Sequence, residues 1–318
     1  MFSDAELLVD RRLLRRRLAA WRALAVVAVL GAVVFAGVVA SREGVAGGEH
    51  VARVNVTGVI TGSRATLDML RRVGETPSAR AVIVAIDSPG GGVTGSADIY
   101  AALRELSKKK PTVAVINSLG ASGAYMVALG ADRILARDTS LVGSIGVIMQ
   151  FPNFSVLLDR VGVKVDEIKS SPLKASPNPF APTPPAANEA MAAVVADSYA
   201  WFRDLVRTRR GIEGEALAKV SDGRVFTGRQ ALALRLIDQT GDERDALRWL
   251  EKEKGIAAGL KIREWKPQRA GGFSLASLGA QAARLSGLET LARTLEQAAQ
   301  PADPAGGLLA VWTGPQSP

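Results

Sequence analysis

Cysteine is absent from the 318 residues, and histidine occurs once, at His50. The first absence excludes disulfides, thiolate metal sites and a cysteine nucleophile. The second leaves a Ser-His-Asp triad a single residue to draw on. The Gly-rich stretch at Gly90–Gly92 is not followed by the Gly-Lys-Ser/Thr of a Walker phosphate loop, and it is not read as a dinucleotide fingerprint. No segment repeats at a solenoid period. A nucleic-acid recognition motif is also missing, so the net charge of +9 needs another explanation.

That explanation lies at the N-terminus. Arg11, Arg12, Arg15, Arg16, Arg17 and Arg22 outnumber Asp4, Glu6 and Asp10 across residues 1–22. The next 18 residues, Ala23–Ala40, carry no charge. At about 1.5 Å per helical residue they are just long enough to span a bilayer core. Basic residues before the apolar run and few after it favour a cytoplasmic N-terminus. A cleaved leader is the rival reading, although the apolar core of a leader runs about 7–15 residues. The sequence thus predicts a basic segment (1–22), a transmembrane signal anchor (23–40), a polar linker (41–50), a catalytic body (51–262) and an appended, partly disordered tail (263–318). The chain would sit in a bacterial inner membrane, with the body on the periplasmic side.

From Val51 onward, strand-like and helix-like segments alternate. "VARVNVTGVI" alternates in polarity, whereas "AVIVAI", Ala81–Ile86, is continuously apolar, as in a strand buried on both faces. "TVAVIN" is a second such strand, and "VKVDEIKS", Val163–Ser170, reads as another. This pattern predicts an α/β fold with a largely parallel sheet and Gly-rich loops at strand ends, where such sheets place their sites. A helix is expected to start near Asn188 and to end before Gly211.

Two of these loops carry chemistry. "DSPGGGVTGS", Asp87–Ser96, offers backbone N–H groups to an oxyanion, or is only a tight turn. Ser122, between Ala121 and Gly123, is either a helix N-cap or a nucleophile with room for a substrate backbone across it. In the second case the Gly123 N–H can donate to the developing oxyanion. His50 falls in the linker, away from both loops. Carboxylates are weak bases toward a serine hydroxyl, which leaves a lysine kept neutral by desolvation. Lys108, Lys109 and Lys110 form a solvated run at a helix end. Lys174 is the only charged residue between Ser170 and Ala187, a stretch with six prolines. It is either that base or a lone surface lysine on a linker.

Five ordered stretches, "DSPGGG", "ASGAYMVA", "ADRILARDTSLVGSIGV", "LKASPNPFAPTPP" and "DGRVFTGRQALALRLID", resemble the signal peptide peptidase A family of membrane-bound serine peptidases. The resemblance covers roughly residues 51–250. It implies a Clp protease/crotonase-like core of repeated ββα units and a Ser-Lys dyad, with Ser122 as nucleophile and Lys174 as general base. It further implies that Ser144 orients the lysine amine, and that Gly91, or else Gly90, joins Gly123 in the oxyanion hole. A homo-oligomer with active sites shared between subunits is implied as well, acting on remnant signal peptides or other apolar extended peptides without cofactor or metal. Arg235 stands where the family commonly has glycine. The alternatives are a crotonase-type acyl-thioester enzyme, which gives Lys174 no task, and an inactive membrane scaffold, which leaves both Ser122 and Lys174 without one.

Overall fold

The computed structural model describes residues 48–267, Arg17, Trp21, Arg22, Glu289 and Thr290, and the backbone of Leu309–Val311. The expected anchor, 23–40, and nearly all of the linker lie outside the described residues. Among the described residues no helix is long and apolar enough to cross a membrane. The chain divides after Gly48 into two units; in the first, Arg17, Trp21 and Arg22 are helical and exposed. Everything below concerns the second.

Its centre is a run of parallel strands: β1 (His50–Ile60), β2 (Ala79–Gly92) and β3 (Thr112–Ala121). Helices α1 (Arg64–Glu75) and α2 (Val93–Ser107) connect them, and α3 (Gly123–Ala128) follows β3. β3 then forks the sheet. Its first half pairs with β4 (Arg133–Ala136) and its second half with β5 (Leu141–Gly143), both parallel. Beyond these come α4 (Ser155–Arg160), α5 (Pro185–Arg210), α6 (Gly214–Val220), β6 (Val225–Thr227), α7 (Gly228–Ala233), β7 (Gln239–Thr240), α8 (Glu243–Lys254) and β8 (Lys261–Trp265). β6 runs antiparallel to β5, β7 flanks β4, and β8 closes the other edge beside β1. A last strand, β9 (Leu309–Val311), pairs antiparallel with the end of β2.

The apolar run in β2 is buried on both faces, as its composition predicts. Val82, Val84 and Ile86 join Met69, Leu103, Tyr125 and Phe202 in one core, whereas Ala81 and Ile83 meet Ala246 and Leu250 of α8 in the other. Alternate residues of a strand face opposite ways, so one apolar run feeds both layers. α8 starts at a capping box. The Asp242 carboxylate accepts from the Arg244 N–H at 2.8 Å, and that of Asp245 accepts from the Asp242 N–H at 3.0 Å.

Four expectations are corrected. "SPGGG" is not a loop but the final turnless stretch of β2. His50 is not in the linker: it opens β1, is buried, and its Nε2 accepts from Trp265 Nε1–H at 3.2 Å. "VKVDEIKS" forms no strand, and no described strand pairs with it. Lys110 is not simply solvated: its amine donates to the carbonyls of Val73 (2.7 Å) and Thr76, at the C-terminal end of α1. Burial, with Arg80 and Lys109 nearby, pushes its pKa below the ordinary lysine value. Smaller shifts are that α5 begins at Pro185 rather than near Asn188, and that β8 continues to Trp265.

Arg235 occupies the left-handed region, with φ of 60°, just past α7. The Leu236 N–H returns to the Ala231 carbonyl at 2.8 Å, the bond that closes a helix C-terminus around such a residue. Glycine adopts this backbone without the Cβ penalty. The exposed Arg235→Gly variant is therefore expected to be more stable by about 1 kcal/mol. For a body of this size that is about 2–4 °C in a thermal melt; an unchanged or lower Tm would refute it.

Candidate active site

β3 delivers Ser122 to a sharp turn. The residue has φ of 55° and ψ of −121°, a conformation that L-residues rarely adopt and that costs on the order of 1–3 kcal/mol. Three contacts hold it there. Its N–H donates to the Gly143 carbonyl at 2.7 Å, and its carbonyl accepts from the Met126 N–H at 3.0 Å. All six residues of α3 behind it are buried, and the Tyr125 hydroxyl donates to the Leu236 carbonyl at 2.7 Å. That burial pushes the Tyr125 pKa well above the usual phenol value. The Ser122 hydroxyl itself makes no capping hydrogen bond. Ser122 thus stands at the N-cap position of α3, but its side chain does not cap the helix. A strained strand-to-helix turn at a serine is the device by which other α/β folds position a nucleophile; here Ser122 is buried, at 2% exposure in the single chain.

The end of β2 lies beside this turn. A Cβ built on Gly123 would stand 3.2 Å from the Gly91 N and 2.3 Å from the Ser96 hydroxyl, so a side chain at position 123 would have to displace Ser96. Gly91 is equally confined: a Cβ there would meet the Ile60 carbonyl at 2.1 Å. The Gly90 N–H is already committed to Ser88 Oγ at 3.1 Å, and Ser88 in turn donates to the Gly58 carbonyl at 2.6 Å. Gly91 and Gly123 therefore bring their backbones together next to Ser122, while Gly90 has spent its donor. Gly90, Gly92 and Gly95 do stand at GxGxxG spacing, contrary to the sequence reading. Here the spacing serves packing, since a Cβ on Gly95 would lie 2.6 Å from the Gly62 N. Ser88 and Ser96 escaped the sequence reading. Ser88, directly ahead of Pro89-Gly90, carried a signal as a local turn-former; Ser96 carried none.

Ser144 follows Gly143, the acceptor for the Ser122 N–H. Its φ is 50°, its own N–H donates to the Arg224 carbonyl at 2.8 Å, and it is mostly buried. Lys174 is placed differently. It lies in an exposed turn, where its backbone N–H donates to the Ser171 carbonyl at 3.1 Å. No hydrogen bond joins its amine to Ser122 or Ser144. The hydrogen bonds of residues 151–181 are internal to that segment, for example Phe154 N–H to the Pro179 carbonyl and Asn178 to Glu167. One chain does not bury Lys174. Several large apolar residues of the same segment are also exposed, among them Phe151, Phe154, Leu157, Val161, Ile168 and Phe180.

His50 is out of reach. It is opposite Ala79 at the start of β2, whereas Gly120, near Ser122, is opposite Ser88. Nine residues at about 3.3 Å each put it roughly 30 Å away. Lys110, just before β3 begins, is at the same far end. Two clefts, of about 600 and 560 Å³, lie between α1 and α2 and beside β1 and β8, and Ser122 lines neither. Among the described residues no cluster of His, Asp and Glu is arranged to hold a metal ion.

Comparison with known proteins places this geometry in context. Residues 104–257 match the model of peptidase family S49. A protein of the cyanobacterium Synechocystis sp., assigned as a protease, is 39% identical over 210 residues, 65% of this chain and 76% of that one. A protein of Enterococcus faecium assigned as the signal peptide peptidase SppA is 33% identical over 224 residues, 70% of this chain and 64% of that one. Protease 4 of Haemophilus influenzae is 28% identical over 212 residues, 64% of this chain and 34% of that one. The chain thus spans most of the first relative, just under two thirds of the second and about a third of the third.

Proposed function

Because the chain belongs to peptidase family S49, the family of the signal peptide peptidase A proteins, we propose that it is a membrane-anchored serine endopeptidase with Ser122 as nucleophile and Lys174 as general base. The observation that carries this reading is the strained turn at Ser122, a buried serine whose side chain makes no capping bond and which adjoins the confined backbones of Gly91 and Gly123.

Ser122 Oγ attacks the substrate carbonyl carbon while its proton passes to the Lys174 amine. The carbonyl oxygen becomes an oxyanion and accepts from the N–H groups of Gly91 and Gly123; one such donor contributes about 2.7–4 kcal/mol of transition-state stabilisation. The C–N bond then breaks, and the lysine gives its proton to the departing amine. Water attacks the acyl-enzyme ester and loses a proton to Lys174. The ester C–O bond breaks and Ser122 regains its hydrogen. Gly90 is set aside, because its N–H already bonds Ser88. Ser144, next to the residue that anchors Ser122, is read as the group that orients the amine.

Lys174 and Ser122 are read as meeting across a subunit boundary. Support comes from the internal bonding of segment 151–181 and from its exposed apolar side chains, which a second copy would cover. The forked, largely parallel sheet agrees with a Clp protease/crotonase-like core. Residues 23–40 are read as the membrane anchor, with the body on the extracytoplasmic side, where remnant signal peptides and other apolar extended peptides are the substrates. A fluorophosphonate probe tests the reading directly. It is expected to form an adduct on the peptide that contains Ser122 and to label Lys174→Ala far more slowly. An adduct on another residue would refute it.

A further inference from the structure

The parallel ladder between β2 and β3 ends at Ser88 and Gly120. Beyond that point β3 turns away toward β5 and delivers Ser122, while β2 continues through Gly90, Gly91 and Gly92. On one side Gly90 and Gly91 remain paired with Val59 and Ile60 of β1. The opposite edge, which faces the serine turn, has lost its neighbour. An open edge of this kind presents unpaired backbone donors and acceptors and accepts an added strand. In this structure it does not stand open. β9 lies on it, with Val311 opposite Gly90, Ala310 opposite Gly91 and Leu309 opposite Gly92. β9 also contacts α3, the helix that Ser122 opens.

We infer that the C-terminal segment around Leu309–Val311 is a built-in occupant of the peptide site and competes with substrate for the β2 edge. The inference rests on the reading of Ser122 as nucleophile, since that reading makes this edge the substrate's place. The register describes the ligand as well: an extended, apolar backbone running antiparallel to Gly90–Gly92, in the local sequence Leu308-Leu309-Ala310-Val311-Trp312. Residues 268–308 separate the segment from β8. A tether of that length holds it near the site at an effective concentration on the order of 1 mM. With an intrinsic dissociation constant of about 0.1 mM it would weaken a competing peptide about ten-fold.

The test is a binding measurement on the Ser122→Ala background, where nothing is consumed. A dye-labelled peptide of the sequence Gly307–Gly314 is titrated into the full chain and into a chain that ends at Gln300. The shortened chain is expected to bind about ten-fold more tightly; equal affinity would overturn the proposal. Two further full-length variants guard against an effect of truncation on folding. Ala310→Pro and the pair Leu309→Pro/Val311→Pro remove N–H groups that point to opposite sides of β9, so at least one of them must release the segment and match the truncation. If neither does, the proposal fails. With Ser122 intact, truncation is expected to lower KM about ten-fold at unchanged kcat, and unchanged KM counts against occupancy. Because binding needs no nucleophile, failure of the Ser122 reading would show separately, as cleavage by the Ser122→Ala chain.

Discussion

Alanine at position 122 will reduce kcat/KM for an apolar peptide by on the order of 10⁵-fold, because loss of a nucleophile removes the whole covalent route rather than one contact. The fold will tolerate the change. The Ser122 hydroxyl makes no capping hydrogen bond, and alanine keeps the same backbone demand, so stability is expected to move by less than about 1 kcal/mol. Glycine at the same position separates the two roles more sharply. It relieves the φ of 55° and is expected to raise stability by about 1–2 kcal/mol while leaving the chain inactive. A serine with no catalytic role would show the same stability gain with glycine but would leave hydrolysis near its starting rate. Denaturant titration together with peptide hydrolysis for Ser122→Ala and Ser122→Gly reads both effects; hydrolysis near the starting rate in either variant would sink the assignment.

Lys174→Ala is expected to lower kcat by about 10²–10⁴-fold, the range of a positioned general base, with little change in stability because the side chain is exposed and unbonded in the single chain. The location of the partner follows from mixing. When Ser122→Ala and Lys174→Ala chains are co-expressed in equal amounts, a site shared between neighbours combines an intact serine with an intact lysine in about a quarter of random pairings of subunits. Activity should therefore reappear from two inactive parents. If both residues belonged to one chain, no pairing would restore a complete site, and the mixture would stay as inactive as its components. Recovered hydrolysis distinguishes the two outcomes without any structure of an assembly.

The parts of this fold that were legible in the sequence are those dictated by local pattern. The continuous apolar runs at Ala81–Ile86 and Thr112–Asn117 announced strands buried on both faces, and they became β2 and β3. Ser122 was legible as a candidate because small residues flank it, but its backbone strain was not. That strain depends on Gly143 and Met126, which share no local pattern with it. The reach of β2 through Pro89 and its glycines was missed for a related reason. Glycine and proline mark turns only when no neighbouring strand competes, and here β1 and β9 hold the segment extended. Lys110 was misjudged because composition places charge runs in water, whereas the end of α1 supplies carbonyls that draw one amine inward. The expected strand at Val163–Ser170 failed because alternating polarity alone does not make a strand, and no described strand pairs with it.

The complete burial of α3 has a consequence for how such a chain can change. Every residue from Gly123 to Ala128 is enclosed, and a Cβ at position 123 would have to displace Ser96. Mutational drift in that helix is therefore penalised whatever the substrate, because each substitution opens a cavity or forces a clash. Segment 151–181, Lys174 apart, is less restrained within the single chain, being exposed and bonded mainly to itself. New selectivity has room to arise there while the bond-breaking apparatus stays as it is. The serine half of the proposed site is thus fixed by the interior, while the residues around Lys174 have room to vary.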